Sequence, residues 1–161
     1  MNSINTINEQ STHALDWLHP SPFISSWKID TSHLDHYQHT NNLAYLARLE
    51  RLAWEHSAQL GLTFAEYEQL DRAMVITKHE LNYHFPTHLG DDLACATWIV
   101  NCDNKFRLNR DFQYINPHSG RTVFSATTHF VCVSLKTGMP KRMPEAFKHV
   151  YGQAALSTNL K

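Results

Sequence analysis

A chain of 161 residues is long enough to bury a genuine core and is most simply one domain. Hydrophobic residues at 42% and charged residues at 18% fit a globular protein. Lys and Arg number 14 against 15 Asp and Glu, so no global field recruits nucleic acid or an anionic membrane, and an anionic ligand needs a local basic patch.

Residues 1–14, rich in Asn, Ser and Thr, read as a disordered arm that lacks the basic start and apolar run of a signal peptide. The stretch 16–22 (DWLHPSP) is ambiguous and is consistent with a turn that packs Trp17. Residues 23–30 (FISSWKID) have the aromatic and β-branched content of a strand. From Asn41 the period changes: Leu43, Leu46, Leu49, Ala53 and Leu60 recur at helical spacing, which predicts a helix over 41–60, roughly 30 Å long. Thr40 or Asn41 can cap its start, and Gly61 can close its end in a left-handed conformation. A shorter helix is expected over 63–70, with Thr63 as cap and Glu66 as its reciprocal partner.

After Asp71 the helical period disappears. Segments 73–85, 93–101, 106–115 and 122–135 read as strands rich in Val, Ile, Thr, Phe and Tyr. The short Gly, Asn, Asp and Pro turns between them make successive strands antiparallel neighbours. Residues 144–153 predict one last short helix. The longest apolar stretch, Leu93 to Val100 (LACATWIV), falls far short of the roughly 20 residues needed to span a bilayer. Cys95, Cys102 and Cys132 are odd in number and form no C-x-x-C pair, so reduced thiols and a cytoplasmic location are expected. One sheet must therefore bury one long helix, because nothing else in the chain covers it. The expected class is α+β, a hotdog fold in which a curved antiparallel sheet wraps around a long central helix. A single domain over 15–155 and a tail at 156–161 complete the organisation.

The segment 33–42, HLDHYQHTNN, carries the densest chemistry. His33, Asp35, His36 and His39 are competent metal ligands, yet no second ligand cluster and no H-E-x-x-H accompanies them. The same residues also suit a solvated polar loop, or a carboxylate delivered to a helix N-terminus. In that last arrangement the carboxylate faces the unpaired N–H donors and the positive end of the helix dipole. Neither a G-x-S-x-G elbow nor a phosphate loop is present.

The longer run HLDHYQHTNNLAYLARLERLAW resembles the signature region of hotdog-fold acyl-CoA thioesterases. It is similar in particular to the bacterial long-chain acyl-CoA thioesterase III type and the 4-hydroxybenzoyl-CoA thioesterase-like group. The matching positions are Asp35, Tyr37-Gln38-His39, Asn41-Asn42, Tyr45-Leu46, Glu50 and Trp54, and the likeness continues in LNYHFPTHLGDDL (81–93) and HFVCVSLKTGMP (129–140). The resemblance implies hydrolysis of medium- to long-chain fatty acyl-CoA at a site shared between subunits of a homodimer or homotetramer. It implies no cofactor beyond coenzyme A as part of substrate and product, no metal, no nucleic-acid partner and no membrane span. Asp35 is then the general base or the nucleophile, His39 a supporting group, and the helix start near Asn41 and Asn42 the oxyanion hole. Asn41 is equally a helix cap.

Glu50, among apolar neighbours on the helix, is expected to be partly buried. It is the second candidate for the catalytic carboxylate, or else a structural one. Lys105, Arg107 and Arg110 near one hairpin, and Lys136, Lys141 and Arg142 near another, are either holders of coenzyme A phosphates or ordinary surface residues. Phe64, Tyr67, Leu70, Met74 and Ile76 suit an acyl tunnel or plain core, and Cys132 suits a core thiol. Two alternatives stay open: a non-hydrolytic acyl-CoA or acyl-carrier binding protein, and a thioesterase for an aromatic, hydroxybenzoyl-type acyl-CoA.

Overall fold

The computed structural model describes residues 9–157, with side chains from Ser11 onward. In chain order the elements are α1 (Glu9–Thr12), β1 (Phe23–Lys28), α2 (Asn42–Gln59), α3 (Phe64–Leu70), β2 (Ala73–Tyr83), β3 (Asp92–Cys102), β4 (Arg107–Asn116), β5 (Arg121–Val133) and α4 (Glu145–Ala154).

Local chemistry fixes both ends of α2. Asn41 is the cap: its side-chain oxygen accepts from the Ala44 N–H at 2.8 Å, while its amide nitrogen donates to the His33 carbonyl at 3.0 Å. One side chain thus satisfies an orphan helix donor and ties the preceding loop to the helix. At the other end Gly61 takes φ +98, and the N–H groups of Gly61 and Leu62 return to the carbonyls of Ala58 and Ser57. This is a Schellman closure, which needs a residue without a Cβ penalty at positive φ. The expected reciprocal cap of Thr63 and Glu66 starts α3.

The five strands form one antiparallel sheet in the order β1–β3–β4–β5–β2, with β1 and β2 at its edges. Register irregularities at Ile76/Lys78, Ile99/Asn101 and Tyr114/Ile115 help to curve it. The hotdog architecture is therefore present, with α2 lying in the concave face. Tyr45, Leu49 and Leu52 of α2 pack with Trp27, Phe112, Tyr114 and Phe124 in one buried cluster. A second cluster joins Leu62 and Tyr67 to Leu108, Phe130, Phe147 and Tyr151, which brings α3 and α4 over the other end of the sheet.

The outer face is covered by a segment that the sequence left ambiguous. Residues 16–20 cross β3 and β4: Trp17 meets Trp98 edge-on, the Trp98 indole donates to the Pro20 carbonyl, and His19 lies 2.7 Å from Asp111. Gln113 accepts from the Leu18 N–H and donates to the Asp16 carbonyl. This strap explains why β3 is buried on both faces from Leu93 to Ile99. Two expectations about the ends need correction. Residues 9–12 of the supposed disordered arm form a helical turn with Thr12 buried, while residues 1–8 lie outside the described ones. Leu156 and Ser157, expected in a tail outside the domain, extend along β3 by donating to the carbonyls of Ile99 and Val100; residues 158–161 lie outside the described ones.

Replacing Asn41 by Ala should lower stability by about 1 kcal/mol or somewhat more, because it removes both the cap and the bond to His33. Urea unfolding with an unchanged m-value checks this.

Candidate active site

The loop between β1 and α2 folds back on itself. Leu34 and Thr40 form an isolated antiparallel bridge, Gln38 turns the chain at φ 61, and the Asp35 N–H donates to the His39 carbonyl. At the centre of this turn the Asp35 carboxylate uses one oxygen, Oδ1, to accept from the N–H groups of Tyr37 (2.8 Å) and His39 (3.2 Å). The other oxygen takes no hydrogen bond from the described residues. The side chain is thus oriented by backbone donors while half of its acceptor capacity faces outward.

The loop is anchored to the connection between β2 and β3. Thr40 donates its N–H to the Thr87 carbonyl, its hydroxyl meets that of Thr87 at 2.6 Å, and Thr87 in turn meets the Tyr45 hydroxyl at 2.7 Å. All three residues are buried. This chain of hydroxyls holds the start of α2 against the sheet. The result is a shallow cleft of about 190 Å³ lined by Asp35, His39, Asn42, Tyr83 and His84 among others. The Asn42 and Leu43 N–H groups belong to the first turn of α2 and have no intrahelical acceptor. The cleft therefore combines a carboxylate oxygen without a hydrogen bond from the described residues with the positive end of an 18-residue helix.

The structure sorts the other predicted residues. His39 lines the cleft and meets His88 edge-on. Asn41 is committed to capping with both ends of its amide, so of its two expected roles it fills the structural one. His33 accepts from the Asp30 N–H in a capping box and packs on Trp27, and His36 is exposed. Among the described residues, no three His, Cys, Asp or Glu side chains are grouped to hold a metal ion.

Glu50 is a correction. It is exposed and makes no hydrogen bond or ion pair among the described residues; its charge acts on His79 of β2. The face of α2 that it occupies looks toward Met74, Val75 and Ile76 of the edge strand β2, where no described residue covers it.

The basic residues also divide. Lys105, Arg107, Lys141 and Arg142 are exposed; Arg142 lies over the Phe106 ring and Lys141 pairs with Asp71, so the two hairpins do meet. Arg110 leaves that set. It is 3% exposed, on the concave face of the sheet between Leu108 and Phe112.

Arg110 lines a second cavity, of about 270 Å³, together with Glu50, Trp54, Ser57, Tyr67, Met74 and Ile76 among others. Three of the residues named as tunnel or core, Tyr67, Met74 and Ile76, border it. Around Arg110 the chemistry is polar. One guanidinium nitrogen meets His56 Nδ1 at 2.8 Å and another donates to Ser57 at 2.9 Å. The Tyr151 hydroxyl also donates to Ser57 and pairs with that of Tyr67. A guanidinium only donates, so His56 accepts at Nδ1 and is neutral. Burial, and then the Arg110 charge, press His56 down to about 3. Sequence reading missed this group, although strict alternation along β4 (Leu108, Arg110, Phe112, Tyr114) already puts Arg110 on the core face.

A curved antiparallel sheet around one long helix defines the hotdog fold. A model of the thioesterase-like superfamily matches residues 29–150. The long-chain acyl-CoA thioesterase FadM of Escherichia coli K12 is 31% identical over 110 residues, covering 68% of this chain and 82% of that protein. The crystal structure of YbaW, a probable thioesterase from Escherichia coli, superposes with a TM-score of 0.71 at 26% identity, covering 82% of this chain and 98% of the other. SAV2348 of Staphylococcus aureus, solved in complex with CoA, superposes at 0.78 with 17% identity over 88% of each chain. This chain belongs to the thioesterase-like superfamily and is a thioester hydrolase.

The neutral His56 has a consequence for pH dependence. The unfolded chain takes up a proton near the ordinary 6.5, whereas the folded one refuses it until about 3. Its contribution is full above the first value and is lost as the pH falls toward the second, at up to about 1.4 kcal/mol per pH unit. His56→Gln, which keeps an acceptor for Arg110 and cannot titrate, should flatten that part of the stability curve measured by urea unfolding.

Proposed function

We propose that this protein hydrolyses medium- to long-chain acyl-CoA to the free acid and CoA, with Asp35 activating water at the N-terminus of α2. The observation that carries this is the shared cleft: Asp35 has one oxygen fixed by two N–H groups and one left open, beside the first turn of α2. The open oxygen takes a proton from water as the water oxygen bonds to the thioester carbon. The first-turn N–H groups of α2 stabilise the oxyanion, the C–S bond breaks, and the proton held by Asp35 goes to the departing sulfur. His39, at the cleft wall, orients the water or the thioester. The reading needs no resident cofactor, since CoA enters and leaves with the reaction. The long-chain specificity named for the 31% identical relative supports the acyl class. The three unpaired cysteines suit a reducing cytoplasm.

The active unit in this reading is a dimer joined along β2. That strand is an edge, and Val75, Ile76, Tyr83 and the neighbouring Phe85, Trp54 and Leu43 are exposed around it. Edge pairing would cover this apolar surface and the unpaired backbone groups together. Within one chain the Asp35 cleft lies near the Tyr83 end of β2, while Met74, Lys141 and Arg142 lie toward its start. Antiparallel pairing about the middle of the strand reverses that, setting the cleft of one copy beside the cavity and basic hairpins of the other. Those hairpins, through Lys105, Arg107, Lys141 and Arg142, then hold the phosphates of coenzyme A.

Asp35→Asn should lower kcat for palmitoyl-CoA by about 10²–10⁴-fold, read as thiol release, while circular dichroism and acyl-CoA binding persist. Full activity in that variant would refute the mechanism, and binding without turnover in the unaltered protein would make it a carrier. Sedimentation at micromolar concentration should show a dimer, and Val75→Asp should produce monomers that lose turnover in parallel. A fully active monomer would contradict the shared site.

A further inference from the structure

The cavity beneath Arg110 contains a charge that packing alone does not account for. Arg110 sits at the seam between the two hydrophobic clusters, with Leu108 in one and Phe112 in the other. The core's other buried arginine, Arg48, has Glu55 at 3.4 Å. No carboxylate of the described residues comes within ion-pairing distance of Arg110. Its partners, His56 and Ser57, carry no charge, and the Tyr67 and Tyr151 hydroxyls beside them bond to each other and to Ser57. Burial works against the guanidinium's charge, yet arginine does not give up its proton in proteins. The floor of the cavity is therefore a fixed positive charge ringed by hydroxyl groups, and an anion placed there would offset the desolvation that the chain already bears.

The approach to this floor is apolar. Met74, Ile76, Leu108 and Phe130 border the cavity, and Met74 and Ile76 belong to the β2 edge. A chain of methylene groups entering from that edge would lie along these side chains and bring its far end to Arg110. Glu50, at the cavity wall, is exposed to water, where its charge is screened.

We propose that this cavity seats the distal end of the acyl group and that Arg110 there binds a carboxylate, which makes the preferred substrates ω-carboxyacyl-CoA thioesters, the monothioesters of dicarboxylic acids. This assignment rests on the acyl-CoA thioesterase reading and adds the identity of the acyl terminus. A guanidinium offers a carboxylate paired donors, and the Tyr151 and Ser57 hydroxyls stand beside it. A terminal methyl group in the same place would set the Arg110 charge against hydrocarbon instead.

The test compares matched pairs, methyl-terminated against ω-carboxylated, from hexanoyl-CoA and hexanedioyl-CoA to dodecanoyl-CoA and dodecanedioyl-CoA. For at least one chain length the carboxylated ester should be hydrolysed with a kcat/KM about tenfold or more above that of its partner. Arg110→Met should cut turnover of that ester by about 100-fold and reverse the order of the pair, whereas Arg110→Lys should keep part of the preference. A wild-type enzyme that favours the methyl-terminated ester at every length overturns the proposal and leaves the thioesterase reading standing; this comparison does not depend on any variant folding. Calorimetry on the Asp35→Asn protein separates the opposite failure. If no ester is hydrolysed by the wild type, tighter binding of the carboxylated ester that disappears in Asp35→Asn/Arg110→Met upholds the pocket and refutes the thioesterase reading. Equal binding of both esters refutes the pocket.

Discussion

The rest of the molecule depends on holding one helix inside one curved sheet. Tyr45, Leu49 and Leu52 of α2 are almost fully buried there, each stabilising the fold by about 1.5–3 kcal/mol on removal from water. Hydrophobic burial is non-directional, so by itself it would let the helix slide or rotate. Directional bonds remove that freedom. The Tyr114 hydroxyl, rising from β4, donates to the Tyr45 carbonyl at 3.1 Å, and the Tyr45 hydroxyl meets Thr87. Asn41 then couples the helix to the loop before it. The position of Asp35 relative to the first turn of α2 is thus a consequence of core packing, relayed through two tyrosines, two threonines and one cap. A rigid element of this kind suits the oxyanion role proposed for it, because donors that must reorganise during reaction contribute less.

Features written in local chemistry were legible in the sequence. The ends of α2 and the reciprocal cap of α3 depend on neighbouring residues, and so does the turn that binds Asp35 to the N–H groups of Tyr37 and His39. The strap on the outer face was not legible, because its bonds run from Asp16, Leu18 and His19 to Gln113 and Asp111, far along the chain. The run LACATWIV did contain a hint: a strand that is apolar on both faces needs cover on both. Its residue Trp98 is met on the outer face of the sheet by Trp17, His19 and the Pro20 carbonyl of the strap. Sequence alone did not reveal which segment would supply that cover.

Glu50 and Arg110 failed as expectations for opposite reasons. Glu50 follows the fully buried Leu49 on α2, and helical periodicity places it near the apolar stripe. Its actual exposure is set by the open side of β2, a matter of what lies beyond the chain's own edge rather than of period. Arg110 stands close in sequence to a hairpin, where basic residues are common. Strand alternation is the better guide to it, although a charge at a core position is improbable on composition alone. Where local regularity and residue type conflict, function is the usual reason that the conflict persists.

That conflict can be followed into the energetics of the core. An apolar side chain at position 110 would let Leu108 and Phe112 belong to one continuous cluster and would remove the smaller of the two causes that keep His56 neutral, burial being the larger. Such substitutions for buried ions are often neutral or stabilising in other proteins. Here the chain instead keeps two clusters with a polar seam, and the seam opens into a cavity beside α2. Ser57 accepts from both Arg110 and Tyr151, and Tyr151 reaches on to Tyr67. Residues from α2, α3, β4 and α4 therefore share one network, so its geometry is fixed by four elements together. A group held that firmly, with its charge unmatched by any described carboxylate, is organised to receive a ligand. Its place between the β2 edge and the second cluster sets where such a ligand must enter.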